Sequence, residues 1–259
     1  MQNVNGHNWL GVYTLYLREV RRFIKVYTQT IIGPIVTTLL FLAIFALSIG
    51  SAIKVVGDVP FIQFLLPGLI MMAIVQNAFA NTSSSIMISK VQGNIVDTLM
   101  PPFSAHELTF ALAMGGMTRG VAVGFVVAVV TAFFVPFQIH DFFFVAYYAV
   151  AASLMLSLLG LLGGVWSEKF DHIAGLTNFV VTPLSFLSGT FYSIHRLPEF
   201  FQAAAYFNPF FYMIDGFRYG FIGYSDASLT TGMVVVALMD LVLWVACWAI
   251  FKTGYRLKS

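Results

Sequence analysis

From residue 28 onward the chain is a succession of long apolar runs separated by short polar connections. A hydrocarbon layer about 30 Å thick is crossed by roughly 20 helical residues. Six segments reach that length, at 28–52, 61–89, 108–137, 142–166, 173–194 and 231–251. Their apolar positions are continuous instead of alternating, which predicts helices and excludes the short alternating strands of a membrane β-barrel. Upstream of the first run, Arg18, Arg21, Arg22 and Lys25 recur at i, i+3, i+4 and i+7, with Tyr13, Leu17, Val20, Ile24 and Tyr27 opposite them. That spacing predicts an amphipathic helix over 9–27 lying along the inner leaflet, cations near anionic headgroups. Between the fifth and sixth runs, residues 198–223 are rich in Phe and Tyr, yet are broken by Asn208-Pro209 and Gly216 and carry Glu199, Asp215 and Arg218. Too interrupted for a span and too apolar for a free loop, this insert is expected to form two short helices that dip into the outer leaflet and return.

The connection after the second run, "KVQGNIVDTLMPPFSAHEL", holds Lys90, Asp97, His106 and Glu107 and a Pro101-Pro102 stop. Turning between two spans needs only a few polar residues, whereas this stretch can form a helix over 91–100 that the two prolines end. An ordered element in that place implies a partner outside the membrane.

Composition agrees with a chain that lives in lipid. Of 259 residues, 59% are hydrophobic and 9% charged, against about a quarter charged in a soluble domain. The fold class expected is an all-α membrane protein with six transmembrane helices in one domain, since no repeat, low-complexity tract or long linker divides residues 1–259. The first 27 residues lack the apolar core of a cleavable signal peptide, so the N-terminus is expected to be retained. With that end inside, the inner segments hold Arg18, Arg21, Arg22, Lys25, Lys90, Lys169, Lys252, Arg256 and Lys258, and the outer ones Lys54, Arg196 and Arg218. This asymmetry favours both termini in the cytoplasm, and a bacterial inner membrane is the expected location. The formal charge of +2 is unremarkable, and no nucleic-acid partner is expected.

Candidate chemistry is sparse. The chain contains no Gly-Lys pair, hence no phosphate-cradling G-x-x-x-x-G-K-[ST] loop. The single Cys247 excludes an internal disulfide and a cysteine-based metal site. His7, His106, His140, His172 and His195 are scattered near span ends without H-E-x-x-H spacing, so no metal is expected. Nothing resembles a catalytic set, so the chain is read as a non-enzyme. Polar stripes inside two spans carry more information. Asn77, Asn81, Ser84 and Ser85, with Gln76 beside them, recur along the second; Asn178, Thr182, Ser185 and Gly189 follow i, i+4, i+7 and i+11 along the fifth. Such side chains are unfavourable against lipid, and so are expected to face other helices or a water-accessible path. Arg119 falls about 18 Å along a helix from Glu107, and because 120–137 alone nearly spans, it is expected to snorkel toward the inner headgroups in a structural role. Asp215 and Arg218, three apart, are expected to pair on a helix surface and stabilise the insert. An ion-gradient carrier or channel is the alternative function, but only Asp240 offers it a mid-span acid.

The run "TPLSFLSGTFYSIHRLPEFFQAAAYFNPFFYMIDGFR" resembles the signature of ABC-2 type transporter permeases, through Pro183, Ser188, Gly189, Leu197, Pro198, Asn208, Pro209, Asp215, Gly216 and Arg218. Gly93, Asp97, Leu99, Pro102, Ser104 and Glu107 match the same family's inner connection, with Gln92 where an acidic residue is common; "MGGMTRG", containing Arg119, fits its third span. The resemblance implies an exporter working by alternating access, in which two permeases pair, here as a homodimer, and each engages a separate ATPase subunit that carries ATP and Mg. It further implies that the N-terminal helix lies at the inner surface, with Arg18 and Arg22 sharing in coupling to the ATPase, and that Gly93, Asp97, Leu99 and Pro102 belong to a coupling helix seated in it. Asn77, Asn81, Ser84, Asn178, Thr182 and Ser185 would line the route of an amphipathic or lipid-linked substrate, with saccharide-bearing and small toxic compounds both open.

Overall fold

The computed structural model describes residues 8–48, 55–56 and 59–256. The expected end of the first span at 49–52, together with His7, Lys54 and Lys258, lies outside the described residues. Helix α1 (Trp9–Lys25) leads through a π-helical turn at Thr28–Ile32 into α2 (Gly33–Ser48). A two-rung antiparallel ladder, β1 (Val55–Val56) with β2 (Val59–Pro60), then delivers the chain to α3 (Phe61–Val91). The short α4 (Ile95–Leu99) precedes α5 (Ala105–Ala132) and α6 (Phe142–Trp166). After α7 (Phe170–Leu176), a second π-helical turn at Thr177–Val181 and α8 (Thr182–Leu187) come α9 (Glu199–Tyr206), α10 (Pro209–Ile222) and α11 (Leu229–Thr253).

Among the described residues, five helices are long and apolar enough to cross a membrane: the run Thr28–Ser48, α3, α5, α6 and α11. They coincide with five of the six apolar runs. The expected fifth span is the one that shifts. Its helical run covers 170–187, roughly 27 Å at helical rise, and stops before Gly189, whose φ of +74° is a left-handed conformation that favours glycine. Residues 188–193, expected to continue the span, instead form an irregular turn whose Thr190 backbone packs on Gly68 of α3, and a short 3-10 helix follows at Ile194–Arg196.

Helix α3 is the axis of the bundle, buried along nearly its whole length and clasped by α5 and α6. It is apolar all round, as a helix enclosed by others must be. Close approach to it depends on small residues. A Cβ on Gly68 of α3 would stand 2.5 Å from the Thr190 backbone oxygen, and one on Gly160 of α6 would stand 2.5 Å from the Phe79 carbonyl oxygen. Gly68→Val is therefore expected to push the 188–190 turn off α3 and destabilise the protein by about 1–3 kcal/mol, read as thermal unfolding in detergent; an unchanged midpoint would show that the turn yields freely.

The insert folds back on itself. Asn208, between α9 and α10, donates to Ser188 Oγ at 2.8 Å, and the end of α10 is tied to the α5–α6 connection by Asp141 N donating to Gly220 O at 2.9 Å. Both ties lie at the end of the bundle remote from α4. Helix α10 is about 21 Å long and packs on the first halves of α3 and α6, with Arg218 over the Phe64 ring and Gly216 against Tyr148.

Candidate transport and coupling site

At the near end of the bundle, α4 is shorter than the expected 91–100 helix. Helix α3 runs on to Val91, and Gly93, at φ +73°, breaks the chain's path before α4 begins. Ile95 and Thr98 face inward, Leu99 is half-buried, and Val96, Asp97 and Met100 are exposed. Past Pro101-Pro102, α5 opens with a capping box in which Ser104 Oγ accepts from Glu107 N at 3.3 Å and Ser104 N donates to Glu107 Oε2 at 2.7 Å. Glu107 also accepts from Asn8 N at 2.8 Å, which fastens the start of α1 to the start of α5.

Helix α1 presents Val12, Leu15, Glu19 and Phe23 to the bundle and leaves Leu10, Tyr13, Ile24 and Tyr27 exposed. An exposed apolar side is thus present, but the cations do not all face away from the bundle. Arg18 Nη1 donates to Thr98 Oγ1 at 3.1 Å, so it bridges α1 to α4. Arg22 turns into the bundle: it donates to Asn81 O at 2.6 Å, Asn81 Oδ1 at 3.0 Å and Ser84 Oγ at 3.2 Å. The donors of Arg22 are thus engaged by α3 and by Glu19.

Glu19 holds the centre of this network and was missed in the sequence. It is 1% exposed, pairs with Arg22 at 3.1 Å and with Arg18 at 3.3 Å, and its side chain lies where a Cβ on Gly115 of α5 would be. Two signals pointed to it: an acid at i+1 and i−3 from two arginines, and the Gly115-Gly116 pair able to admit another helix.

The α3 stripe faces protein, as expected. Asn77 Oδ1 accepts from Arg119 Nη2 at 3.0 Å, and Asn77 Nδ2 donates to Ala73 O at 2.9 Å. Arg119 stands 14 residues beyond the start of α5 and 13 before its end. The expected snorkel to the headgroups is replaced by a bond to α3 at mid-helix. Asn77 also lines a cleft of about 260 Å³ between α2 and α3, with Gln29, Thr37, Thr38, Phe41 and Gln76. The second stripe does not meet the first within this chain. Asn178, in the π-helical turn, is exposed and Thr182 half-buried, while Ser185 is buried and donates to Val181 O at 2.8 Å.

At the far end the signature residues join α8, α10 and the loop after α10. Pro183 lies in the first turn of α8, Pro198 caps α9, and Pro209 opens α10 behind Asn208, whose Oδ1 accepts from Phe210 N at 3.1 Å. Asp215 and Arg218 are both buried, yet they do not form the expected pair. Asp215 accepts from Ser225 Oγ at 2.7 Å, Asp226 N at 2.8 Å and Ala227 N at 3.1 Å. Arg218 Nη2 donates to Gly189 O at 2.6 Å, and its guanidinium lies 3.9 Å from the Phe64 ring centre. Each charge is claimed by a different loop, because backbone groups at those two turns reach it more closely than its neighbour on the helix.

The ABC-2 type transporter family model matches residues 11–222, most of the chain. The chain belongs to the ABC-2 type transporter family. This ABC-2 chain is 39% identical over 251 residues to the inner membrane transport permease YadH of Escherichia coli (strain K12), covering 97% of this chain and 98% of that one. It is also similar to nodulation protein J of Rhizobium leguminosarum bv. viciae, at 22% identity over 95% of both chains. Against nodulation protein J of Rhizobium meliloti (strain 1021) the identity is 21%, over 83% of this chain and 81% of the relative. An ABC-2 chain is a membrane-embedded transport subunit, a permease.

Proposed function

We propose that this ABC-2 permease forms half of the membrane part of an ATP-driven exporter, pairing with a second copy of itself and with two ATP-binding subunits. It resides in a bacterial inner membrane, as the YadH relative is an inner membrane permease, with both termini in the cytoplasm, in agreement with the Lys and Arg asymmetry. The 170–187 run serves as the remaining span, and α9 and α10 form the re-entrant element at the outer end.

One observation carries the reading. Helix α4 is fixed from behind and bare in front: Ile95 and Thr98 are buried and Arg18 grips Thr98, whereas Val96 is 50% and Met100 76% exposed beside Asp97. A five-residue helix has no stability of its own, so an apolar outer side held rigidly suits a protein cleft. Movement of α4 would pass through Arg18 to α1, and through Glu19 and Arg22 to α3. Nucleotide acts by binding more tightly to one state of the assembly, since a ligand shifts an equilibrium only by its differential affinity. The two arrangements of the spans then expose the α2/α3 cleft to alternate sides, and the cargo is an amphipathic or lipid-linked compound.

The test is co-purification with the partner ATP-binding subunit. Val96→Asp together with Met100→Asp is expected to reduce recovery of that subunit about tenfold, equivalent to about 1.4 kcal/mol, while the permease remains monodisperse. Undiminished recovery would remove α4 from the interface.

A further inference from the structure

The cleft between α2 and α3 is uncharged, yet rich in hydrogen-bonding groups that nothing in the chain answers. Gln29, Thr37, Thr38, Gln76 and Asn77 line it together with Phe41, and among the described residues no acidic, basic or histidine side chain does. Asn77 is engaged at both ends of its amide, accepting from Arg119 Nη2 at 3.0 Å and donating to Ala73 O at 2.9 Å. Arg119, so bound, stands behind that wall and is not part of it. The other four polar side chains, Gln29, Thr37, Thr38 and Gln76, make no hydrogen bond among the described residues. Each glutamine brings two donors and a carbonyl acceptor, and each threonine a hydroxyl that does both. Gln76 is the central residue of the 31-residue α3, a depth at which unanswered polar groups are unfavourable and an unpaired charge is far more so. Phe41 adds an aromatic face that is held in place, its ring centre 6.3 Å from that of Phe45 and 6.0 Å from that of Phe191.

We propose that this cleft selects cargo by charge: it receives a polar group that is uncharged and bears hydroxyls or amides, and it rejects phosphate, carboxylate and ammonium groups. An ionised group entering it leaves water without meeting a counter-charge, whereas a neutral one exchanges its bonds to water for bonds to Gln29, Thr37, Thr38 and Gln76. Discrimination of this kind comes as much from what the wrong ligand leaves unpaired as from what the right one gains. The apolar side of the same group, or the hydrocarbon next to it, lies on Phe41. Gln29, Thr37, Thr38 and Gln76 are then the residues that determine specificity. The inference rests on the permease reading and narrows the class of its cargo.

The experiment measures equilibrium binding of radiolabelled octyl glucoside, octyl phosphate and octyltrimethylammonium to the full-length permease in phosphatidylcholine nanodiscs, with empty nanodiscs subtracted. The probes share one chain and differ in charge. Octyl glucoside is expected to bind saturably and about tenfold or more tighter than either ion. Gln76→Leu and Thr37→Val are each expected to weaken it about three- to tenfold, the size of one lost hydrogen bond, and to narrow its preference over the two ions, which a change in folding alone would not do. Gly33 also lines the cleft, and a Cβ there meets nothing within 4 Å; Gly33→Phe therefore fills the space and is expected to abolish binding. Methyl glucoside binding as tightly as octyl glucoside assigns the site to a free polar molecule, and weaker binding assigns it to the head group of an amphiphile; both uphold the uncharged class. If octyl phosphate or octyltrimethylammonium binds the native protein as tightly as the glucoside and Gly33→Phe blocks it, the cleft remains the receiving site and the selection by charge is overturned. If Gly33→Phe blocks none of the probes, the cleft falls as the receiving site and the selection falls with it. Neither result touches the permease reading, which stands or falls with recovery of the ATP-binding subunit.

Discussion

Asp215→Ala is expected to lower the stability of the permease by about 3–5 kcal/mol, the range for stripping one partner from a buried charged site. Asp215 is 3% exposed and satisfies three donors from residues 225–227, two of them backbone amides. Alanine leaves those donors unsatisfied in a packed region, and the loss of a buried donor's partner is not refunded by water. It also leaves the fully buried Arg218 guanidinium without the nearest acid on its own helix. The informative comparison is with the double change Asp215→Ala, Arg218→Ala. Had the two residues paired with each other, removing both would hurt less than removing one. Because Asp215 holds the 225–227 loop and Arg218 holds the Gly189 turn, the double variant is expected to be at least as damaged as the worse single. Fluorescence-detected chromatography after a heating series measures this directly, and recovery in the double variant would mean that the direct pair dominates after all.

The second large effect is at Glu19. Glu19→Leu deletes the carboxylate that answers Arg22 and leaves Arg22 and Arg119 as two cations in one buried network. A loss of about 2–4 kcal/mol is expected, somewhat below the fully buried case because Arg22 retains 28% side-chain exposure. Transport should suffer beyond this loss of stability, since α1 would no longer be tied to α3 through Glu19 and Arg22. The compensating change Glu19→Gln with Arg22→Gln keeps shape, removes both charges and is expected to recover at least half of the lost stability. A Glu19→Leu protein that melts like the native one would show that α1 is held by its apolar contacts alone.

Part of this architecture could be read from the sequence because it follows from local rules. Continuous apolar runs of span length locate α2, α3, α5, α6 and α11, and the arginine spacing locates α1. The Pro101-Pro102 stop marked an ordered element between α3 and α5, though its length depended on Gly93 adopting a left-handed conformation and on α3 continuing to Val91. The signature residues from Pro183 to Arg218 were found by resemblance, but not their partners. Asp215 and Arg218 sit three apart, and helical spacing permits a pair; loops at 189 and 225–227, distant from each other in sequence, compete for the same charges and win.

Residue order by itself determined that this chain is helical and lipid-embedded, because hydrophobic length and short-range periodicity depend only on neighbours along the chain, and the run from Pro183 to Arg218 added the resemblance to a transporter family. Tertiary structure alone decided which polar groups are engaged. Glu19, Arg22, Asn81, Arg119 and Asn77 come from three segments, α1, α3 and α5, and their network exists only because Gly115 lets α1 approach α5 and small residues let α3 sink between α5 and α6. Burial turns weak surface charges into strong constraints, and burial is a property of packing that no single segment carries.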